Sequence, residues 1–92
     1  MKKYTYNDIN YELIKDYKNG FINDEVKEKI TEYFNEFDYI MGDWSYGKLR
    51  LKGFCDKENK NFKEINDITK VDEYIKNHCS YDCRYFIIKK ID

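Results

Sequence analysis

Proline and alanine are missing from these 92 residues, glycine occurs four times, and tryptophan and histidine occur once each. The lone histidine, His78, is followed directly by Cys79, so it is no base set across a pocket from a nucleophile, and a cysteine or serine enzyme is not expected. The few glycines form neither a phosphate-cradling loop nor a dinucleotide-binding turn. These absences predict a protein that is not an enzyme and needs no cofactor. No run is long and apolar enough to span a membrane. The opening MKKYTYNDINYE has two lysines but no hydrophobic stretch after them, unlike a secretion signal. Three cysteines without an export signal read as reduced thiols in a cytoplasmic protein.

What is present is aromatic and charged. Ten Tyr and six Phe must build the core together with Ile and Leu, and each buried Tyr hydroxyl then needs a partner. Several tyrosines are expected on the surface as half-buried contact residues. Lys, Asn, Ile, Tyr and Asp dominate, a bias that an A+T-rich genome produces, so single Lys or Asn residues carry little functional weight. The length fits one domain, 1–92, with a small core that buries roughly 60–65% of the unfolded surface. The net charge of −1 hides an asymmetry: residues 1–46 hold 6 cations and 10 anions, and residues 47–92 hold 11 cations and 8 anions. Bulk charge therefore does not favour nucleic acid, while a local basic face in the second half does.

Alternation of Ile9, Tyr11 and Leu13 predicts a strand over 9–17, closed by the turn Lys18-Asn19-Gly20. Val26, Ile30, Phe34 and Phe37 recur at helical spacing, with Tyr33 widening the stripe, and predict a helix over about 24–37. Strands follow at 38–43 and 48–54, joined by a hairpin loop Trp44-Ser45-Tyr46-Gly47. A polar segment, 55–61, leads to a second helix over about 69–78, capped by Thr69 and burying Val71, Tyr74 and Ile75. RYFIIKKI, 84–91, has apolar residues on both faces and reads as a central strand. The order β-α-β-β-α-β predicts an α+β two-layer sandwich: a four-stranded sheet with both helices on one face, ferredoxin-like, or a looser α+β order.

The stretch DYIMGDWSYGKLRLKGF, Asp38 to Phe54, resembles the central motif of the YutD-like family of Gram-positive (Firmicutes) bacteria. YELIKDYKNGF, Tyr11 to Phe21, is similar to that family's opening, and CSYDCRYFIIKK, Cys79 to Lys90, to its Cys-x-x-x-Cys segment and aromatic strand. The resemblance covers about residues 11–90. It implies a small cytoplasmic protein of unestablished biochemical role, with no catalytic residues to carry over.

The same stretch supplies the candidate site. Lys48, Arg50 and Lys52 alternate along a strand, which spaces them about 6.6–6.8 Å apart, close to the phosphate repeat of an extended nucleic-acid strand. Trp44 and Tyr46 could stack bases at the end of this row, and Lys57, Lys60 and Lys63 extend it. The plain alternative is a solvated outer face kept soluble by its charge. Lys52-Gly53-Phe54 matches the start of an RNA-recognition strand, but Cys55-Asp56 stands where further stacking residues belong. Asp43, beside Trp44, reads as a turn cap rather than a catalytic acid. Cys79 and Cys83 have zinc-ligand spacing, with His78 and Cys55 as awkward completing ligands, so a redox or metal site competes there with two small thiols closing the helix. Two functional classes follow. One is a module that contacts nucleic acid or a ribonucleoprotein through Trp44, Tyr46, Lys48, Arg50 and Lys52. The other is a protein-interaction adaptor or inhibitor, such as a phage-borne antagonist of a nucleic-acid enzyme, anchored by exposed Tyr and Trp. Oligomeric state is open at this point.

Overall fold

The computed structural model describes residues 2–78 and 83–91. Five strands, β1 (Lys3–Tyr6), β2 (Ile9–Tyr17), β3 (Tyr39–Ser45), β4 (Lys48–Phe54) and β5 (Tyr85–Lys90), form one open sheet in the order β1-β2-β5-β3-β4. Every neighbouring pair is antiparallel. Two helices, α1 (Asn23–Lys29) and α2 (Val71–His78), connect β2 to β3 and β4 to β5.

The expected four-stranded sheet gains a fifth strand at its edge. Asn7 and Asp8 take left-handed backbone angles, φ 53° and 64°, and fold β1 back onto β2 through a two-residue turn. The ferredoxin-like order does not hold either: the strand between β2 and β3 is the last in sequence, β5.

The two helices lie on opposite faces rather than on one. Ile40 of β3, Leu49 of β4 and Phe86 and Ile88 of β5 pack under Val26 and Ile30 on one face. Met41, Phe54 and Ile87 pack on the other face, against Val71, Tyr74 and Ile75 of α2. The cause lies in the sequence of the inner strands. Ile40-Met41 and Ile87-Ile88 put apolar side chains on both sides, so a sheet covered on one side would leave Met41 and Ile87 in water. The connections β2→β3 and β4→β5 step two places in opposite directions from antiparallel strands. Two right-handed crossovers of that kind would share a face, so one of the pair runs against the right-handed preference of about 98%.

The helix expected over 24–37 is broken. Ile30 is extended at φ −74°, ψ 133°, and a 3-10 turn over Glu32–Glu36 follows. Two adjacent β-branched residues, Ile30 and Thr31, sit at the break, where helix propensity is poor. The break keeps Ile30 buried while Phe37 swings over Gly53 of β4. The second helix is preceded by a 3-10 turn at Ile68–Lys70. Its cap is Asp67 rather than Thr69: Asp67 Oδ1 accepts from the Thr69 amide at 2.9 Å and the Thr69 hydroxyl at 2.7 Å, which holds the Asp67 carboxyl below its usual range.

Two predictions follow from this packing. A Cβ added at Gly42 would stand 2.2 Å from the Phe86 ring, so Gly42→Ala should lower stability by about 1–3 kcal/mol, read as a reduced urea midpoint at unchanged slope. An unchanged midpoint would mean that the ring does not cross Gly42. Burial also raises the phenols of Tyr6, Tyr11 and Tyr39 and the Cys55 thiol; Tyr6, helped by neighbouring Tyr4, is pushed up to about 12 from 10.0. The folded state thus holds these protons more tightly than the unfolded chain. For Tyr6 that stability is complete below pH 10.0 and is lost as pH rises toward about 12; for the Cys55 thiol the loss begins once pH passes 9.0. The urea midpoint should fall across that window, and less steeply in Tyr6→Phe; a midpoint flat to pH 12 would contradict the burial.

Candidate functional site

The β3–β4 hairpin turns more tightly than expected. Its loop is Tyr46-Gly47 alone, with φ 53° and 74°, and Trp44 and Ser45 belong to β3. Two consecutive left-handed residues match the right-handed twist of the strands, and glycine tolerates its share without strain. Tyr46 at the apex is fully exposed, at 102%. Lys48 beside it is also exposed.

The other three residues of the predicted site are held by the fold. Trp44 is half-buried; its Nε1 donates to the Gly20 carbonyl at 2.7 Å, and the Arg84 guanidinium lies 4.7 Å above its ring. Arg84 in turn donates to the Asn19 carbonyl at 2.9 Å. Trp44 therefore fastens the turn after β2 to the sheet, on the α1 side.

Arg50 and Lys52 point to the other side, toward α2, and not to an open sheet face. Arg50 donates from Nε at 3.0 Å and from Nη2 at 2.6 Å to the two oxygens of Asp43, its cross-strand partner, and reaches the His78 carbonyl at the end of α2 at 3.3 Å. Asp43 is buried at 2% exposure, so it holds an arginine rather than capping the turn. Lys52 Nζ lies 5.3 Å from the ring centroids of both Phe54 and Tyr74. Of the five residues proposed from sequence, only Tyr46 and Lys48 stand at the exposed hairpin tip. The three cations do share one side of β4; the sign that α2 would cover that side lay in Met41 and Ile87, not in the row itself.

Cys55 is fully buried, and among the described residues neither it nor Cys83 forms a disulfide. Cys79 lies outside the described residues, so its pairing with Cys83 does too. Among the described residues no three of His, Cys, Asp and Glu gather as metal ligands. His78 is exposed and stacks on Tyr74, ring centroids 4.5 Å apart.

A feature not read from sequence lies along the outer side of β4. A groove of about 420 Å³ runs between the 3-10 turn, with Tyr33, Phe34 and Phe37, and the segment 60–66, with Lys60, Phe62, Lys63 and Ile65. Its floor is Leu51, Lys52 and Gly53 of β4. Tyr33 is 68% and Ile65 76% exposed. Ile65, an apolar residue outside every helical or strand period, was the available signal.

Arg50→Ala should cost about 1–3 kcal/mol, because it leaves the Asp43 carboxylate buried without its bidentate partner. Lys48→Ala should stay within about 0.5 kcal/mol. Equal urea midpoints for the two variants would contradict the anchored role of Arg50.

Comparison with known proteins fits this architecture. A family model described as "Putative antitoxin YutD-like" matches residues 5–89. "Putative antitoxin YutD" of Bacillus subtilis (strain 168) is 42% identical over 81 residues, which cover 88% of this chain and 89% of the relative. The solution NMR structure of protein yutD from B. subtilis matches with a TM-score of 0.82 at 37% identity, over 99% of this chain and 83% of that one. Five antiparallel strands, two helices and the Asp38–Phe54 motif thus sit within one shared fold, and the chain belongs to the YutD-like family.

Proposed function

We propose that this chain is a non-enzymatic cytoplasmic module that binds another protein, in the manner of an adaptor or inhibitor. The observation that supports this reading over a nucleic-acid one is the engagement of Arg50 and Lys52. A row that tracks a phosphate backbone needs cations free to replace counterions. Arg50, its side chain half-exposed, is instead paired with the buried Asp43 carboxylate, and Lys52 rests over two rings beside α2. Beside its exposed lysines the surface offers apolar and aromatic groups: Tyr46 at the hairpin tip and Tyr33 and Ile65 beside β4. Exposed tyrosines give large contact area at low entropic cost, as partner-binding surfaces do. The antitoxin description of the family and of the B. subtilis relative is compatible with a protein partner.

Titration of a labelled single-stranded RNA and a DNA duplex with the purified chain tests this. Binding should be no tighter than the non-specific range of about 10⁻⁴–10⁻⁶ M at physiological salt. Tighter binding that falls steeply with salt and weakens in Lys48→Ala would return the nucleic-acid reading.

A further inference from the structure

We infer that the outer edge of β4 is a docking site for an extended acidic segment of a partner protein, which adds to the sheet as a sixth strand. This rests on the protein-binding reading above and names where and how the partner is held.

The backbone carries the argument. In a two-residue hairpin the closing pair, here Ser45 and Lys48, exchanges both ladder hydrogen bonds. By alternation Arg50 and Lys52 also bond inward to β3, and Leu49, Leu51 and Gly53 turn their N–H and C=O groups outward. Cys55, next in that parity, shows what this edge accepts: its amide donates to the Asn66 carbonyl at 2.7 Å, and its carbonyl accepts from the Ile68 amide at 3.1 Å, a parallel bridge to Asp67. The chain thus already pairs one step of this edge with its own segment. Among the described residues no backbone bond from outside the sheet reaches Leu49, Leu51 or Gly53. Three unpaired steps of ladder lie beside a paired one: Leu51 is half-buried on the groove floor, and Leu49 and Gly53 are buried.

The groove fits the side chains of such a strand. Residues of an added strand alternate between the two faces of the sheet. Tyr33, Phe34 and Phe37 flank the edge on the α1 face, and Phe62 and Ile65 stand on the segment across the groove. Apolar or aromatic side chains at every second position would meet these. The charge is one-sided: Lys52, Lys60 and Lys63 line the groove with Glu36 as the sole acid. Cations that guard an edge sit on the edge strand itself, as Lys48, Arg50 and Lys52 do on β4. Lys60 and Lys63 instead stand on the opposing wall and are exposed, where they would meet carboxylates between the apolar positions.

Panning a phage-displayed library of random dodecapeptides against the full chain tests the inference. Enriched peptides should alternate Asp or Glu with aromatic or β-branched residues. A synthetic peptide of the enriched sequence should lose at least about tenfold in affinity when alternate backbone amides are N-methylated. The loss should be similar against Lys60→Glu/Lys63→Glu with an unchanged urea midpoint. Basic or proline-rich enrichment, or indifference to N-methylation, would overturn the docked strand. So would a concentration-dependent dimer in sedimentation that the peptide fails to dissociate, since a second copy would then occupy the edge. A nuclease-resistant partner held equally by the wild type and the double variant removes the groove while protein binding stands. Tight, salt-dependent RNA binding removes both.

Discussion

The structure depends on a sheet whose inner strands are apolar on both faces. Ile40 and Met41 in β3, and Ile87 and Ile88 in β5, are neighbours in sequence and so point to opposite sides. Burying both sides is worth about 1.5–3 kcal/mol for each large side chain moved out of water. That gain opposes the preference for right-handed crossovers, and here burial wins. One helix covers each face, and the two crossovers take opposite hands.

The position of the hairpin cations follows from that arrangement. Once α2 lies across the Met41 face, every second residue of β4 points at it, and those residues are Arg50, Lys52 and Phe54. Phe54 is buried. Lys52 lays its stem and charge along aromatic rings, and Arg50 spans from Asp43 to the end of the helix. A charge row that looks like a docking face in the sequence is therefore mainly the border between sheet and helix. The surface left over is the hairpin tip and the edge beside it. There an aromatic groove and two lysines flank unpaired backbone.

Much of the fold was legible. Alternation located β2 and β4 to the residue, and apolar residues on both faces of 85–90 gave the central place of β5. Three features were not legible, each for its own reason. β1 has only four residues, and its two tyrosines sit in a charged context; Asn7-Asp8 was its one turn signal. The β-branched pair Ile30-Thr31 only weakens the helix, and tertiary packing decides the break, because Phe34 and Phe37 fit a continuous helical stripe as well as they fit the observed path. The two-face coverage was written in Met41 and Ile87, which the handedness rule led past. At the site, spacing placed Lys48, Arg50 and Lys52 on one side of one strand correctly. What faced them was a matter of topology. Beyond the stray apolar Ile65 the groove was not legible, since it joins residues 33–37, 51–53 and 60–66 across three separate segments.

Nuclear Overhauser contacts from the two sides of β4 test the central claim most directly. With both faces covered, the Lys52 side-chain protons should contact the Tyr74 ring of α2, while the Gly53 α-protons contact the Phe37 ring on the opposite side. Contacts of Lys52 and Gly53 to one and the same helical layer, or a Lys52 side chain with no ring contact, would contradict it.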